Sequence, residues 1–227
     1  MPSNTLSKTL KILILTDSLG LPGDRESYAM SYEETYVSML KNKYPFIDFI
    51  HYGQGGANIK TIQRASVYYK SSEPFLAIVQ CGIVDCAPRA LKPIEKSIIN
   101  RLPFNKFLIN QIKKNSVTLR KYRNINITSL DTYKKNVDIL ENTFKDLLWI
   151  QIIRAPDFYE KKVPNINKNI EMYNKVLKER KSIDTSKYDD SFLISDGHHL
   201  SPKGHEKIFR DLSNVIDNKL NKLGSKN

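Results

Sequence analysis

A serine, a histidine and a carboxylate held together can move an acyl group, and this sequence offers a candidate for each. Ser18 lies in the turn-rich run Asp17-Ser18-Leu19-Gly20-Leu21-Pro22-Gly23, directly after an apolar segment. A serine hydroxyl is a weak nucleophile until an imidazole takes its proton. An imidazole is offered near the other end of the chain, in Asp196-Gly197-His198-His199-Leu200-Ser201-Pro202-Lys203-Gly204-His205. An Asp three residues before a His, ahead of a capped helix, lets both side chains point the same way from one turn. The carboxylate then fixes the tautomer of the ring while its other nitrogen faces a serine. Two plainer readings compete. Ser18 can be a turn former or helix cap, and Asp196, His198 and His199 can be a surface turn or a metal site. A metal site wants further ligands at characteristic spacing. The chain has four histidines, and His51 is remote in sequence and ends a strand, so neither a metal nor a cofactor is expected.

Arg89 is the other residue with chemistry to offer. Its guanidinium can hold a carboxylate or phosphate through a bidentate contact, or it can pair with Asp85. Cys81 and Cys86, the two cysteines, sit five apart around a turn without CxxC spacing or partner ligands. They read as packed thiols in a reducing compartment.

These residues need a scaffold, and the hydrophobic pattern describes one. Lys11–Thr16, Phe46–His51, Phe75–Gln80 and Leu147–Ile153 are short, nearly continuous apolar runs, as expected of strands buried on both faces of a parallel sheet. Phe192–Ile194 is the candidate for a fifth. Helical spacing marks 31–43, 59–69, 167–181 and 202–223, with Ser201 as N-cap, Pro202 at the first helical position and Gly224 as a stop. Residues 94–142 are mostly helical by pattern, with a loop expected within Lys113–Ile127. Strands alternating with helices predict an α/β chain: a three-layer α/β/α sandwich around a parallel sheet of about five strands. One domain over 1–227 is expected, with 92–145 as a helical insertion or lid. Ligands in such folds sit beyond the carboxyl ends of the strands. The turns Asp17–Gly23, Gly53–Asn58 and Gly82–Arg89 each follow a strand directly and should gather on that edge.

The ends of the chain resemble the SGNH hydrolases, the GDSL lipase/esterase family. Thr16-Asp17-Ser18-Leu19 is similar to the family's Gly-Asp-Ser-Leu block. Gly53-Gln54-Gly55-Gly56-Ala57-Asn58 is similar to its glycine loop, Gly82-Ile83-Val84-Asp85 to its Gly-x-Asn-Asp block, and Asp196-Gly197-His198-His199 to its Asp-x-x-His block. All four occur in the family's order. The resemblance implies a flavodoxin-like SGNH fold with Ser18 as nucleophile, His199 as base and Asp196 as the acid that orients it. His198 is the competing base. Backbone N–H groups of Ser18 and Gly56 are implied as oxyanion donors. Thr16 departs from the first block at a position that shapes the turn. Val84 departs from the third, where the family's asparagine supplies a further oxyanion donor, and valine has none. Asn58 and Arg89 are the candidate substitutes. Asp17, Asn58, Asp85 and Arg89 are the candidate substrate-binding residues, and Asp17 can also hold the loop through backbone hydrogen bonds. Cys81–Arg89 further resembles a variant found with bacterial surface-polysaccharide genes.

Composition limits the partners. Hydrophobic residues make up 40% of the 227, enough for a continuous core. Lys and Arg number 36 against 24 Asp and Glu, a formal charge of +12. That field favours anionic partners. No block of five or six basic residues marks a nucleic-acid arm, so the charge is read as a solvated surface and no nucleic-acid partner is expected. No apolar run is long enough to span a membrane. Met1–Lys11 lacks the pattern of a signal peptide, so a cytoplasmic protein is expected. Three functions follow: a hydrolase of carbohydrate or small acyl esters, anionic ones included; an O-acyltransferase using the same serine; and a binding module that lost efficient chemistry through Val84.

Overall fold

In the computed structural model, residues 9–25 and 28–225 are described. The strands are β1 (Lys11–Thr16), β2 (Gly23–Arg25), β3 (Tyr28–Met30), β4 (Asp48–Gly53), β5 (Leu76–Gln80), β6 (Leu147–Ile150) and β7 (Ser182–Ile183). The helices are α1 (Tyr36–Lys43), α2 (Ile59–Tyr69), α3 (Ile83–Cys86), α4 (Pro93–Arg101), α5 (Asn105–Lys114), α6 (Ser116–Arg123), α7 (Leu130–Thr143), α8 (Asp157–Lys162), α9 (Ile166–Lys178) and α10 (Pro202–Gly224). Five strands form one parallel sheet in the order β4-β1-β5-β6-β7, while β2 and β3 make a small antiparallel pair. One helical layer contains α1 packed on α10, and the other contains α2 packed on α7 and α7 on α9. This is the three-layer α/β/α sandwich expected.

The central strands show why the sheet forms. Ile12–Leu15, Leu76–Val79 and Leu147–Ile150 are buried on both faces, so burial of each Leu, Ile or Val side chain from water contributes roughly 1.5–3 kcal/mol. Branched side chains suit that pleated setting. β1 lies between β4 and β5, and chain direction from β1 runs outward on both sides. The loops after these three strands therefore meet at the crevice where strand order reverses.

Several elements differ from expectation. The fifth strand is Ser182–Ile183 rather than Phe192–Ile194. Residues 190–192 form a 3-10 turn capped by Asp189, and Leu193 makes a single antiparallel bridge to Leu200. The second strand begins at Asp48, after the turn in which Ile47 N donates to Tyr44 O. The loop expected within Lys113–Ile127 does fall there: α6 ends at Arg123, and Asn124 breaks the helix in a left-handed conformation with φ 40°. Gly224 ends α10 from within. The expectation that no leader is present concerns Met1–Lys11, of which residues 1–8 lie outside the described residues.

Beneath the sheet edge, Thr16 Oγ1 and His51 Nε2 lie 3.0 Å apart. Burial, followed by the charge of Lys41, lowers the His51 ring to about 4. The unfolded chain takes up this proton near 6.5, and the folded chain only near 4. Stability is therefore lost as pH falls through that window. Asp85, raised by burial to about 6, acts in the opposite sense, its contribution being lost as pH rises from 3.8 to 6. Comparison with His51→Gln isolates the first effect. In denaturant melts, wild type should lose stability relative to His51→Gln between pH 6.5 and 4; a constant difference across that range would contradict the assignment.

Candidate active site

Ser18 opens the 3-10 turn Ser18–Gly20 at the end of β1. Asp17 holds that turn in place. Its backbone N–H donates to Gln80 O at 3.0 Å, and its Oδ1 accepts from Leu19 N at 2.9 Å. Asp17 is fully buried and does not line the pocket before Ser18.

Asp196 and His199 arrive from the loop before α10. Ser201 caps that helix by accepting from Gly204 N, and Pro202 follows at the first position, as the sequence indicated. Gly197 makes the turn between them possible with φ 81°, a conformation that favours glycine; a Cβ there would also fall 2.7 Å from Tyr159 Cβ. Asp196 Oδ1 accepts from the amides of His198 and His199, each at 3.0 Å. Its Oδ2 accepts from His199 Nδ1–H at 2.6 Å. Burial opposes the carboxylate charge, but the His199 ring and the two amides outweigh it and hold the carboxyl well below the usual range. With the proton on Nδ1, Nε2 of His199 is left as an acceptor, and Ser18 Oγ lies 2.9 Å from it.

His198 points elsewhere. Its Nδ1 lies 3.2 Å from Asp196 O and 3.5 Å from Asp196 Oδ1, and its ring is tilted by 38° against Tyr159 at 5.4 Å. Asp196, His198 and His199 come close enough to be weighed as metal ligands. Both nitrogens of His199 are nevertheless engaged, by Asp196 and by Ser18, and both oxygens of Asp196 accept hydrogen bonds. The arrangement suits proton transfer better than cation binding.

The pocket before Ser18 has a volume of about 440 Å³ and is lined by Ser18, Gly56, Val84, Arg89, Tyr159 and His198 among others. Gly56 takes φ 70°, with open space where a side chain would stand. The glycine loop and the loop after β5 are fastened together by Asp85. Both of its carboxylate oxygens accept from Ile59 N, at 3.1 and 3.0 Å, at the start of α2. Asn58 caps the same helix, its Oδ1 accepting from Thr61 N at 3.0 Å. Asp85 and Asn58 are thus committed to positioning the loops and do not line the pocket. Cys81 and Cys86 are buried free thiols beneath it.

Arg89 does line the pocket. Among the described residues no carboxylate pairs with it, and Asp85 is occupied by Ile59. Its Nε is buried without a hydrogen-bond partner. Burial lowers its guanidinium from the usual value; Tyr159 offsets this and the like charge of Arg120 adds to it. Tyr159 and Arg120 were not singled out by the sequence, since neither belongs to a recognisable block. A larger cavity, about 670 Å³, opens near Pro74, Phe75 and Lys145, at the opposite edge of the sheet. Its lining carries neither a histidine nor a cysteine.

No family model matches the chain, and no curated protein sequence does. Solved structures do. A lipase/acylhydrolase from Enterococcus faecalis is 17% identical, with a TM-score of 0.62 over 92% of this chain and 96% of its own. A psychrotrophic esterase from Pseudoalteromonas sp. is 16% identical, with a TM-score of 0.55 over 93% and 98%. A member of the lipolytic protein G-D-S-L family from Veillonella parvula is 11% identical, with a TM-score of 0.56 over 92% and 98%. With its five-stranded parallel sheet and its covering helices, the chain has the SGNH hydrolase fold.

Proposed function

We propose that the protein is a serine-dependent acyl-ester hydrolase acting on a carbohydrate or small acyl ester. The observation that carries this reading is the unbroken chain from Ser18 Oγ to His199 Nε2 and from His199 Nδ1 to Asp196 Oδ2. Ser18 Oγ attacks the acyl carbon as His199 Nε2 takes its proton. Asp196 remains ionised and stabilises the imidazolium. The oxyanion is received by the backbone N–H groups of Ser18 and Gly56. The bond from carbon to the leaving oxygen then breaks, and His199 returns its proton to that oxygen. Water, deprotonated by His199, releases the acid and restores Ser18. Like this chain, an acetylxylan esterase from Geobacillus stearothermophilus has the same fold, at 15% identity and a TM-score of 0.55 over 89% of this chain and 92% of its own.

The same acyl-enzyme can be captured by a sugar hydroxyl instead of water, which would make the protein an O-acyltransferase. Release of p-nitrophenol from p-nitrophenyl acetate by wild type, and not by Ser18→Ala, tests the shared first step. Product analysis with excess sugar alcohol assigns the second, with free acetate expected to dominate.

Arg89 gives the pocket a preference for anionic esters in this reading. A carboxylate or phosphate on the substrate would meet a guanidinium that has no acidic partner among the described residues. Arg89→Ala should lower kcat/KM for an acetyl ester bearing a carboxylate by about ten- to a hundredfold, and leave the neutral methylated analogue unchanged. Equal losses on both esters would remove Arg89 from anion recognition.

A further inference from the structure

Helices α4, α5 and α6 contribute no residue to the buried core. None of their residues is buried, although every other helix of eight or more residues has a buried face. They nevertheless carry large apolar side chains. Ile94, Ile98 and Leu102 follow one another at four-residue spacing, so they share one face of α4 and its end. Phe104, Phe107 and Tyr122 lie in the same segment, with exposures of 84%, 62% and 79%. With Val117, seven of the fifteen large apolar side chains exposed among the described residues fall within 93–123. Phe104 also adopts φ 64°, an unusual conformation for a bulky residue. Exposing this much apolar surface is unfavourable in water and marks an interaction site.

Charge identifies the partner. Residues 93–123 contain eight Lys and Arg and one Glu, a net +7 out of the chain's +12. The basic charge is therefore concentrated in one segment, not spread evenly over a solvated surface. Glu95 is already paired with Arg123 at 2.6 Å. A second copy docking through this face would bring two +7 surfaces together, which argues against self-association. Nucleic acid would satisfy the charge and leave the Ile94–Ile98–Leu102 stripe uncovered. An anionic lipid surface satisfies both, taking apolar side chains at the acyl boundary and basic ones at the headgroups. No helix of the described residues is long and apolar enough to cross a membrane, so contact would be peripheral.

We infer that α4–α6 docks the protein onto an anionic lipid bilayer. The face is tied to the mouth of the pocket. Arg89 N donates to Ile125 O at 2.7 Å, and Arg123 Nη1 donates to Ala90 O at 2.8 Å. Docking thus holds the pocket beside the lipid surface. The inference does not depend on the esterase reading.

Co-sedimentation of the full chain with phosphatidylcholine vesicles, with and without phosphatidylglycerol, provides the test. Binding is expected with phosphatidylglycerol and should weaken as salt rises. Lys113→Glu/Lys114→Glu should lower the partition coefficient by about tenfold or more. Lys134→Glu/Lys135→Glu, the same charge change on exposed positions of α7, should leave it near wild type. Ile98→Asp/Phe107→Asp should abolish binding while keeping the turnover of p-nitrophenyl acetate in buffer. Phe107→Trp, which does not risk the fold, should shift its emission to the blue on anionic vesicles, over a constant background from buried Trp149. The inference is overturned by absence of binding to anionic vesicles, by an equal loss in the α7 variant, or by an unshifted Phe107→Trp emission. It is also overturned if wild type is a dimer that Ile98→Asp/Phe107→Asp makes monomeric.

Discussion

His199→Ala is expected to lower kcat for an alkyl acetate by about 10⁴- to 10⁶-fold, the range expected when one member of a coupled triad is removed. His198→Ala should remain within an order of magnitude of wild type. The two rings are adjacent in sequence and lie 4.1 Å apart, centroid to centroid, but only His199 bridges a carboxylate and Ser18. His198 faces the pocket wall with Tyr159. Substrate binding should survive in His199→Ala, so the loss should fall on kcat with KM little changed. Comparable losses for the two variants would show that the base is shared or reassigned.

The second large effect is a gain. Val84 lines the pocket and donates no hydrogen bond; the resemblance of Gly82–Asp85 to a Gly-x-Asn-Asp block implies an amide at this position. Loss of one oxyanion donor costs about a hundred- to a thousandfold in kcat. Val84→Asn, which nearly conserves volume in a half-buried position, should therefore raise kcat by at least about tenfold. Asn58 does not substitute for the missing amide, because its carbonyl caps α2 and it does not line the pocket. If kcat does not change, Arg89 is the remaining candidate for the third donor, and Arg89→Ala in that background would then cause the larger loss. Stopped-flow measurement of acylation separates this effect from product release.

Much of this was legible in the sequence, for physical reasons that differ between elements. β1, β5 and β6 are buried on both faces, so their apolar runs are continuous and their positions are plain. β7 has two half-buried residues at the sheet edge and carries no such signal. Phe192 and Leu193 drew attention instead because they are apolar, yet they pack from a turn, not a strand. Ser201 and Pro202 mark the start of α10 because capping chemistry is local. The roles of Asp85 and Asn58 were not readable in the same way. Each carries a side chain suited to a ligand, and only the fold shows that Ile59 and Thr61 take them up. Arg89 presents the reverse case: a pairing with Asp85 was plausible from spacing, and the structure separates the two. The helices within 93–123 were visible as helical pattern, but whether their apolar residues faced a core could not be known without the packing.

A nucleophilic Ser18 activated by His199 should be captured covalently by an electrophile that mimics an acyl group. Wild-type protein treated with a fluorophosphonate should gain one adduct by intact mass, and peptide mapping should place it on Ser18. Ser18→Ala should gain none, and His199→Ala should react far more slowly. Labelling that persists in Ser18→Ala, or an adduct mapped to any other residue, would contradict the account.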